Sequence, residues 1–283
     1  MEVQSLSIDV PVNSCINNCK FCCVKLHKNP YMDNIQFNEI KKRLQFAVNN
    51  GCNTVILTGR GEPLQNPEFL KMFHLINQSL TVPFVWIELQ TSGIYLNNPE
   101  SIELLKMIGV TTISLSISDL FNDVNNMDLI GVPTNNKFSL VELCNTWIKP
   151  NGFNLRLSLN LTSAFNGHEL ARIYEHAKKL NADQITFRKL YVPDNADNKI
   201  ASWIKENKID NDTYSLLKSN LKTSSKEIDI LPYGAIVYDY KGISMVMDDD
   251  CMNEELSSIK KYFILRPNSK LYSKWDTPAS LIF

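Results

Sequence analysis

Short apolar runs alternate with segments of helical periodicity along the first two thirds of the chain. The run Thr54-Val55-Ile56-Leu57 is apolar and rich in β-branched residues, which predicts a short strand that is buried on both faces. Before it, the apolar residues of 37–47 recur at helical spacing, and Asn49-Asn50-Gly51 predicts the end of that helix. Similar patterns predict strands near 6–11, 84–89, 111–118, 155–161 and 184–190, and helices near 66–79, 102–109, 139–150 and 168–180.

The six predicted strands alternate with helices, which is typical of an α/β fold with a parallel sheet and crossover helices. Right-handed crossovers can curl such a sheet into an open or closed barrel. The alternation is lost beyond Pro193, so we expect a core at 1–193 and an α+β extension at 194–283.

The extension carries its own local signals. A polar linker at 194–198 precedes a predicted helix at 214–221 and a hairpin that turns near Lys241-Gly242. The apolar segments 262–265 and 281–283 should dock on the barrel, because exposure to water would forfeit their burial energy.

The composition is that of an ordinary globular protein, with 283 residues of which 44% are hydrophobic and 21% are charged. A net charge of −1 provides no basic field, so nucleic acid is not indicated as the main partner. No apolar run approaches the length of a membrane span, and the N-terminus has no signal pattern, so we expect no membrane association. The cysteines number seven, and four of them lie within residues 15–23, which indicates metal binding in a reducing cytoplasm rather than a disulfide framework.

Three of the cysteines lie in one loop directly after the first predicted strand. Cys15, Cys19 and Cys22 are close enough in sequence for one short loop to surround a metal centre with soft thiolate ligands. A closed structural zinc site takes four ligands, whereas this loop supplies three and leaves one position for a small molecule. The spacing favours a catalytic centre, and the alternatives are a structural zinc loop or three unrelated buried cysteines.

The segment Cys15-Ile16-Asn17-Asn18-Cys19-Lys20-Phe21-Cys22 resembles the Cys-x3-Cys-x-aromatic-Cys signature of the radical S-adenosylmethionine (SAM) superfamily, with Phe21 at the aromatic position. The resemblance implies that the three cysteines hold one 4Fe-4S cluster and that SAM binds the open iron. It also implies a partial (βα)6 TIM-type barrel, in agreement with the strand pattern, and it extends over about residues 6–190. Such a motif needs structural context to confirm it.

A second segment of the chain adds to this resemblance. Gly59-Arg60-Gly61-Glu62-Pro63 follows the second predicted strand and resembles the Gly-Gly-Glu-Pro segment that binds the SAM amino group in this superfamily, although Arg60 interrupts the glycine pair. Glycines allow close backbone approach, and an ammonium group needs acceptors. On its own, the segment would be interpreted as a tight βα turn.

Further candidates for SAM contacts lie at the carboxyl ends of the remaining strands, where parallel βα folds bind ligands. Thr91-Ser92-Gly93 matches a position at which relatives often carry Thr-Asn-Gly near the cofactor. Arg188 could pair with the SAM carboxylate through its guanidinium fork, and Ser116 and Asn160 could bond to the carboxylate or the ribose. Each of these residues also fits a simpler role as a helix cap or a solvated strand end.

The resemblance implies an enzyme in which a reduced cluster passes an electron to SAM and the resulting 5′-deoxyadenosyl radical abstracts hydrogen from a substrate. It also implies a flavodoxin- or ferredoxin-like electron donor, and it allows a small-molecule, nucleoside or peptide substrate. The alternative is a non-enzymatic zinc or iron–sulfur module with a structural or redox-sensing role. The sequence assigns no further catalytic residue, and a fold does not identify a reaction.

The remaining cysteines do not predict a second cluster. Cys23 adjoins the motif but breaks its spacing, and Cys52 and Cys144 are interpreted as small buried hydrophobes. Cys251 could be structural, or it could exchange a hydrogen atom with the substrate.

Overall fold

The computed structural model describes residues 2–26, 33–190, 192, 198–231, 234–248, 259–275 and 277–283. The strands in these residues all belong to one mixed sheet. They are β1 (Glu2–Asp9), β2 (Thr54–Thr58), β3 (Trp86–Thr91), β4 (Thr112–Ile117), β5 (Asn154–Leu161), β6 (Gln184–Lys189), β7 (Lys226–Ile230), β8 (Ile236–Tyr240), β9 (Ile243–Asp248), β10 (Ile259–Leu265) and β11 (Leu271–Tyr272).

The centre of the sheet is parallel, and its strands follow the order of the chain. The full order is β11-β10-β1-β2-β3-β4-β5-β6-β9-β8-β7, and each neighbouring pair from β1 to β6 is parallel. The sheet is open, with β11 at one edge and β7 at the other. The predicted α/β class with a partial barrel is therefore confirmed.

Helices connect the parallel strands and continue into the extension. They are α1 (Phe37–Asn49), α2 (Pro67–Gln78), α3 (Pro99–Ile108), α4 (Asp123–Ile130), α5 (Leu140–Glu142), α6 (Leu170–Lys179), α7 (Lys199–Asn207) and α8 (Asn211–Ser224). Asn66 caps α2 through a bond from the Phe69 N–H, and Gly109 ends α3 in the left-handed conformation. Among the described residues, no helix combines the length and the apolar character needed to cross a membrane.

The two faces of the central sheet differ in polarity. Residues such as Leu57, Leu115 and Leu157 are fully buried in the main core. The residues that alternate with them on β3 to β6 are polar, namely Glu88, Gln90, Ser114, Ser116, Arg156, Ser158, Asn160, Gln184, Thr186 and Arg188. Because this polar face is the open interior of the partial barrel, alternate residues of β2 are only half-buried. The prediction that 54–57 is buried on both faces is wrong.

The extension adds strands to both sides of the core sheet. The hairpin of β8 and β9 turns at Lys241-Gly242 as predicted, and β9 pairs in parallel with β6. On the other side, β10 pairs in parallel with β1, and residues 262–265 are buried. Phe283 packs against Phe46 with ring centroids 5.3 Å apart. Residues 262–265 are therefore buried as predicted, whereas Leu281 and Phe283 contact the core but remain 47% and 46% exposed.

Two parts of the domain prediction stay open. The boundary between a core at 1–193 and an extension at 194–283 stays a prediction, and of the linker at 194–198 only Asn198 lies within the described residues. Cys251 also lies outside them.

The sequence pattern predicts neither α4 nor α7, and the helix predicted near 139–150 begins without a side-chain cap. The Ser139 side chain makes no cap hydrogen bond, and the backbone N–H of Leu140 donates instead to Asp123 Oδ2 at 3.2 Å. The helix continues from α5 as a π-helical segment, Leu143–Ile148.

An ion pair crosses the polar interior near the amino ends of the strands. Arg156 pairs with Glu88, whose side chain is 7% exposed, and Arg156 Nε donates to Gln184 Oε1 at 2.8 Å.

We expect Arg156→Ala to lower the free energy of unfolding by about 2 kcal/mol, because it leaves the nearly buried carboxylate of Glu88 without its cation. Lys71→Ala removes an exposed ion pair with Glu68 and should change the free energy of unfolding by less than about 0.5 kcal/mol. Urea denaturation measures both losses, and equal values would contradict the prediction.

Candidate functional site

The loop of Cys15, Cys19 and Cys22 follows β1, at the carboxyl end of the sheet. All three residues are half-buried, and none forms a disulfide. The Cys22 N–H donates to the Cys19 carbonyl at 3.4 Å, which closes a turn between them. Burial, followed by charge repulsion from Cys22 and Cys15, raises the pKa of Cys19 to about 12. Cys15 and Cys22 therefore lie close enough to Cys19 to raise its pKa.

The end of α4 holds this cysteine loop through the backbone. The Asn18 N–H donates to the Gly131 carbonyl at 3.2 Å, and the Lys20 N–H donates to the Leu129 carbonyl at 3.0 Å. Gly131 ends α4 at φ 64, and a Cβ at this position would lie 2.5 Å from the Asn18 carbonyl oxygen. Only glycine permits this approach without displacing the loop. The sequence gives no signal for this contact, because a glycine after a helix does not identify the segment it packs against.

The loop after β2 packs against the chain that leads from β1 into the cysteine loop. A Cβ on Gly59 would lie 2.8 Å from Asp9 Oδ1 and 2.9 Å from the backbone of Val10. A Cβ on Gly61 would lie 2.1 Å from Val12 Cγ2 and 3.5 Å from Cys15 Cα. The two glycines therefore allow the close backbone approach that the sequence predicted for them. Pro63 is buried at the start of the short turn Pro63–Gln65 that follows.

Arg60, which interrupts the glycine pair, bonds to the end of β1. Its backbone N–H donates to Asp9 Oδ1 at 3.0 Å, and its Nε donates to Asp9 Oδ2 at 3.2 Å. Asp9 is only 1% exposed, and burial raises the pKa of its carboxyl while Arg60 opposes that rise. A second bond of 3.0 Å joins Arg60 to Asp33. Arg60 therefore ties the loop after β2 to the strand before the cysteine loop.

Glu62 ties the same loop to the end of β3. Its Oε1 accepts from the Thr91 hydroxyl at 2.6 Å, and its Oε2 accepts from the Ser92 N–H at 2.9 Å and from the Ser92 hydroxyl at 2.8 Å. Burial raises the pKa of Glu62, and the bonds from Thr91 and Ser92 oppose that rise. Ser92 in turn accepts from Asn17 Nδ2 at 2.7 Å. This chain of hydrogen bonds joins the loops after β1, β2 and β3.

The cysteine loop also contacts this network directly. Burial raises the pKa of Cys15, the N–H groups of Asn17 and Glu62 lower it, and the Glu62 carboxylate raises it. Burial and the charges of Glu62 and Cys15 also raise the pKa of Tyr95, a neighbour for which the sequence gives no signal. The structure therefore brings Cys15, Glu62 and the end of β3 together.

Ser116, Asn160 and Arg188 lie on the polar interior face. Asn160 and Arg188 are opposite one another in the pairing of β5 and β6, and Asn160 Nδ2 lies 3.4 Å from Ser118 Oγ. Arg188 Nε is buried and has no partner among the described residues. Within the residues that the structure describes, no hydrogen bond joins Ser116, Asn160 or Arg188 to the cysteine loop or to Glu62.

An aromatic contact joins the cysteine loop to the extension. The rings of Phe21 and Trp203 lie 6.1 Å apart at an interplanar angle of 33°, so α7 packs beside the loop. The sequence places Phe21 in the motif but gives no signal for Trp203 as its partner. Cys52 and Cys144 are buried as predicted.

The donor set fits an iron–sulfur cluster. No group of His, Cys, Asp or Glu side chains among the described residues is arranged around a single metal ion. A 4Fe-4S cluster is larger than one ion, and each thiolate binds a different iron. The three thiols share one half-buried loop, and in addition to burial the charge of Cys22 raises the pKa of both Cys15 and Cys19, so they are close enough together to suit such a group.

Comparison with known sequences gives a family match over slightly less than half of the chain. A sequence model described as the Radical SAM superfamily matches residues 10–146. The comparison with curated proteins gave no match. Radical SAM proteins use a 4Fe-4S cluster and SAM, in agreement with the three thiols on the loop after β1.

Comparison with solved structures extends the similarity of fold over almost the whole chain. SuiB of Streptococcus suis bound to SAM has a TM-score of 0.59 at 12% identity, covering 96% of this chain and 60% of that chain. SuiB bound to the precursor peptide SuiA has a TM-score of 0.52 at 14% identity, and the match covers 96% of this chain and 59% of that chain. Native anSMEcpe with bound SAM and the Kp18Cys peptide has a TM-score of 0.58 at 14% identity, and the match covers 95% of this chain and 74% of that chain. At these identities the likeness shows the fold alone, and this chain spans 60% of the length of SuiB.

Proposed function

We propose that this chain is an enzyme that cleaves SAM reductively with one 4Fe-4S cluster, because the Radical SAM superfamily model matches residues 10–146. The observation that carries the proposal is the chain of hydrogen bonds from Asn17 through Ser92 to Glu62, which gathers three strand ends around the cysteine loop. When bound at these residues, the cluster would supply the electron for reductive cleavage of SAM, and SAM would supply the radical that abstracts hydrogen from the substrate.

Cys15, Cys19 and Cys22 would bind iron in this enzyme, and the residues around them would hold SAM. Gly59 and Gly61 leave room for close approach, and Glu62 orients its loop by bonding to Thr91 and Ser92. Arg188, whose buried Nε has no partner among the described residues, suits the SAM carboxylate. The proposed cofactor site consists of Gly59, Gly61, Glu62, Pro63, Thr91, Ser92, Ser116, Asn160 and Arg188.

The substrate class and the electron donor are also proposals. Both SuiB and anSMEcpe have structures with a bound peptide, which supports a peptide among the small-molecule, nucleoside and peptide substrates considered. A flavodoxin- or ferredoxin-like protein would supply the electron. We further propose that the extension at 194–283 shapes the substrate side of the site, which the contact of Trp203 with Phe21 supports.

Neighbouring cysteines provide a matched test of this function. Cys22→Ala should abolish formation of 5′-deoxyadenosine and methionine in protein reconstituted anaerobically with iron, sulfide, SAM and a reductant. Cys23→Ala changes the adjacent, exposed residue outside the motif spacing and should keep both products at the level of the unchanged protein. Chromatography of the two products measures the difference.

Two results would reject the proposal. One is the absence of SAM cleavage by protein that carries its full complement of iron and sulfide. The other is stoichiometric zinc without iron in protein purified without oxygen, which would favour the non-enzymatic metal-binding module.

A further inference from the structure

Asn17 is a buried residue of the cysteine loop with an unused hydrogen-bond acceptor. It lies between Cys15 and Cys19 and is only 6% exposed. Its Nδ2 donates to Ser92 Oγ at 2.7 Å, whereas its Oδ1 has no partner in the part of the chain that the structure describes. A buried acceptor without a partner is costly, so its retention points to a donor on a bound ligand.

The directions of the neighbouring hydrogen bonds fix the orientation of this carboxamide. Glu62 Oε2 accepts a hydrogen bond from the Ser92 N–H. Because a carboxylate oxygen has no hydrogen to donate, it also accepts the hydrogen bond from the Ser92 hydroxyl at 2.8 Å. The one hydroxyl hydrogen of Ser92 is then used on Glu62, and Ser92 Oγ accepts from Asn17. The nitrogen of Asn17 therefore faces Ser92, and its oxygen points away from Ser92.

The charge around Asn17 selects the kind of donor. Glu62 is 3% exposed, and its carboxylate receives hydrogen bonds from the neutral groups of Thr91 and Ser92. After burial, the largest influences on the pKa of Glu62 are hydrogen bonds from Thr91, Ser92 and Leu64, and none of these groups carries a charge. A buried carboxylate is stabilised by a nearby positive charge. An ammonium group supplies both that charge and the N–H donors that Asn17 Oδ1 lacks.

We propose that Asn17 Oδ1 binds the ammonium group of SAM, beside the Glu62 carboxylate. The proposal rests on the proposed function, because SAM is the ammonium compound that a radical SAM domain binds. Asn17 is then a direct contact of the cofactor rather than a spacer between two cysteines.

Two probes separate the ammonium contact from a general effect on the site. SAM carries the ammonium group, whereas 5′-methylthioadenosine keeps the adenosine and the sulfur but lacks the amino acid. In anaerobic calorimetry with the reconstituted full chain, Asn17→Leu should raise the Kd for SAM at least about tenfold, as expected for a lost hydrogen bond to a charged group. The Kd for 5′-methylthioadenosine should not change.

Asn18→Ala is the matched control, because it removes the neighbouring carboxamide, which is exposed and accepts a bond from Lys25. It leaves the backbone in place, so both Kd values should stay unchanged.

Several results would overturn the proposal. An unchanged Kd for SAM in Asn17→Leu would show that the acceptor serves another donor, such as an amine of the substrate. Equal weakening of both probes would show a general distortion. Loss of iron from both Asn17→Leu and Asn17→Ala, with Asn18→Ala normal, would make Asn17 a residue of loop folding.

The inference and the proposed function can fail separately. Binding of SAM that depends on Asn17, without SAM cleavage by the unchanged protein, would reject only the function. Normal cleavage together with an unchanged Kd for SAM in Asn17→Leu would reject only the inference.

Discussion

Gly131→Ala should abolish cluster binding, although Gly131 is more than one hundred residues away from the cysteines in sequence. A Cβ at Gly131 would lie 2.5, 2.6 and 2.8 Å from the backbone O, C and N of Asn18. These are backbone atoms of the cysteine loop, so the clash can be relieved only by moving the loop or the end of α4. Iron content after anaerobic reconstitution measures the effect, and we expect it to fall to background.

Gly109→Ala is the control for the backbone strain that any side chain adds at a positive φ. Gly109 ends α3 at φ 86, and the nearest atom to its Cβ would be Ile87 Cδ1 at 3.9 Å. This variant should lose about 1 kcal/mol of stability and keep its iron. Normal iron content in Gly131→Ala would show that the contact with Asn18 does not fix the cysteine loop.

Arg60→Ala should lower the free energy of unfolding by about 3 kcal/mol at neutral pH, because it leaves the buried carboxylate of Asp9 without its closest cation. It should also weaken SAM binding, since Arg60 ties the loop of Gly61 and Glu62 to the end of β1. Urea denaturation measures the first effect. A loss below about 1 kcal/mol would show that Asp9 does not depend on Arg60.

The stability loss in Arg60→Ala should depend on pH. Burial already raises the pKa of Asp9, and removal of Arg60 removes the interactions that oppose this rise. The native variant therefore holds the Asp9 proton more tightly than the unfolded chain does, so its stability is greatest at low pH and falls as pH rises through the raised pKa. The difference from the unchanged protein should be smaller at pH 5 than at pH 8. A difference that does not vary with pH would contradict this account.

The sequence predicts the local features of the site, because they depend on spacing along the chain. Three thiols within eight residues, and a Gly-Glu-Pro turn after a strand, are recognisable without any tertiary information. Their partners are not, because each depends on the register of neighbouring strands. Arg60 meets Asp9 because β1 and β2 pair, and Glu62 meets Ser92 because β2 and β3 pair.

The helix that holds the cysteine loop could not be predicted for a different reason. α4 buries Asn126, whose side-chain oxygen accepts the backbone N–H groups of Ser118 and Asp119. A buried amide on the core side weakens the apolar periodicity by which helices are recognised in a sequence. The same segment supplies Leu129 and Gly131, whose backbone carbonyls bond to the cysteine loop. Because the helix is not predicted, these bonds to the loop are not predicted either.

The position of β1 has a consequence for the order in which the site can be assembled in a cell. β1 leads into the cysteine loop, and one of its two neighbours in the sheet is β10. The Ser5 hydroxyl of β1 donates a hydrogen bond to the backbone carbonyl of Lys261 in β10, which lies 256 positions later in the sequence. A ribosome completes β1 long before β10 leaves the exit tunnel, so the strand stays half-paired during most of translation. We therefore expect iron delivery to this protein to follow synthesis rather than accompany it.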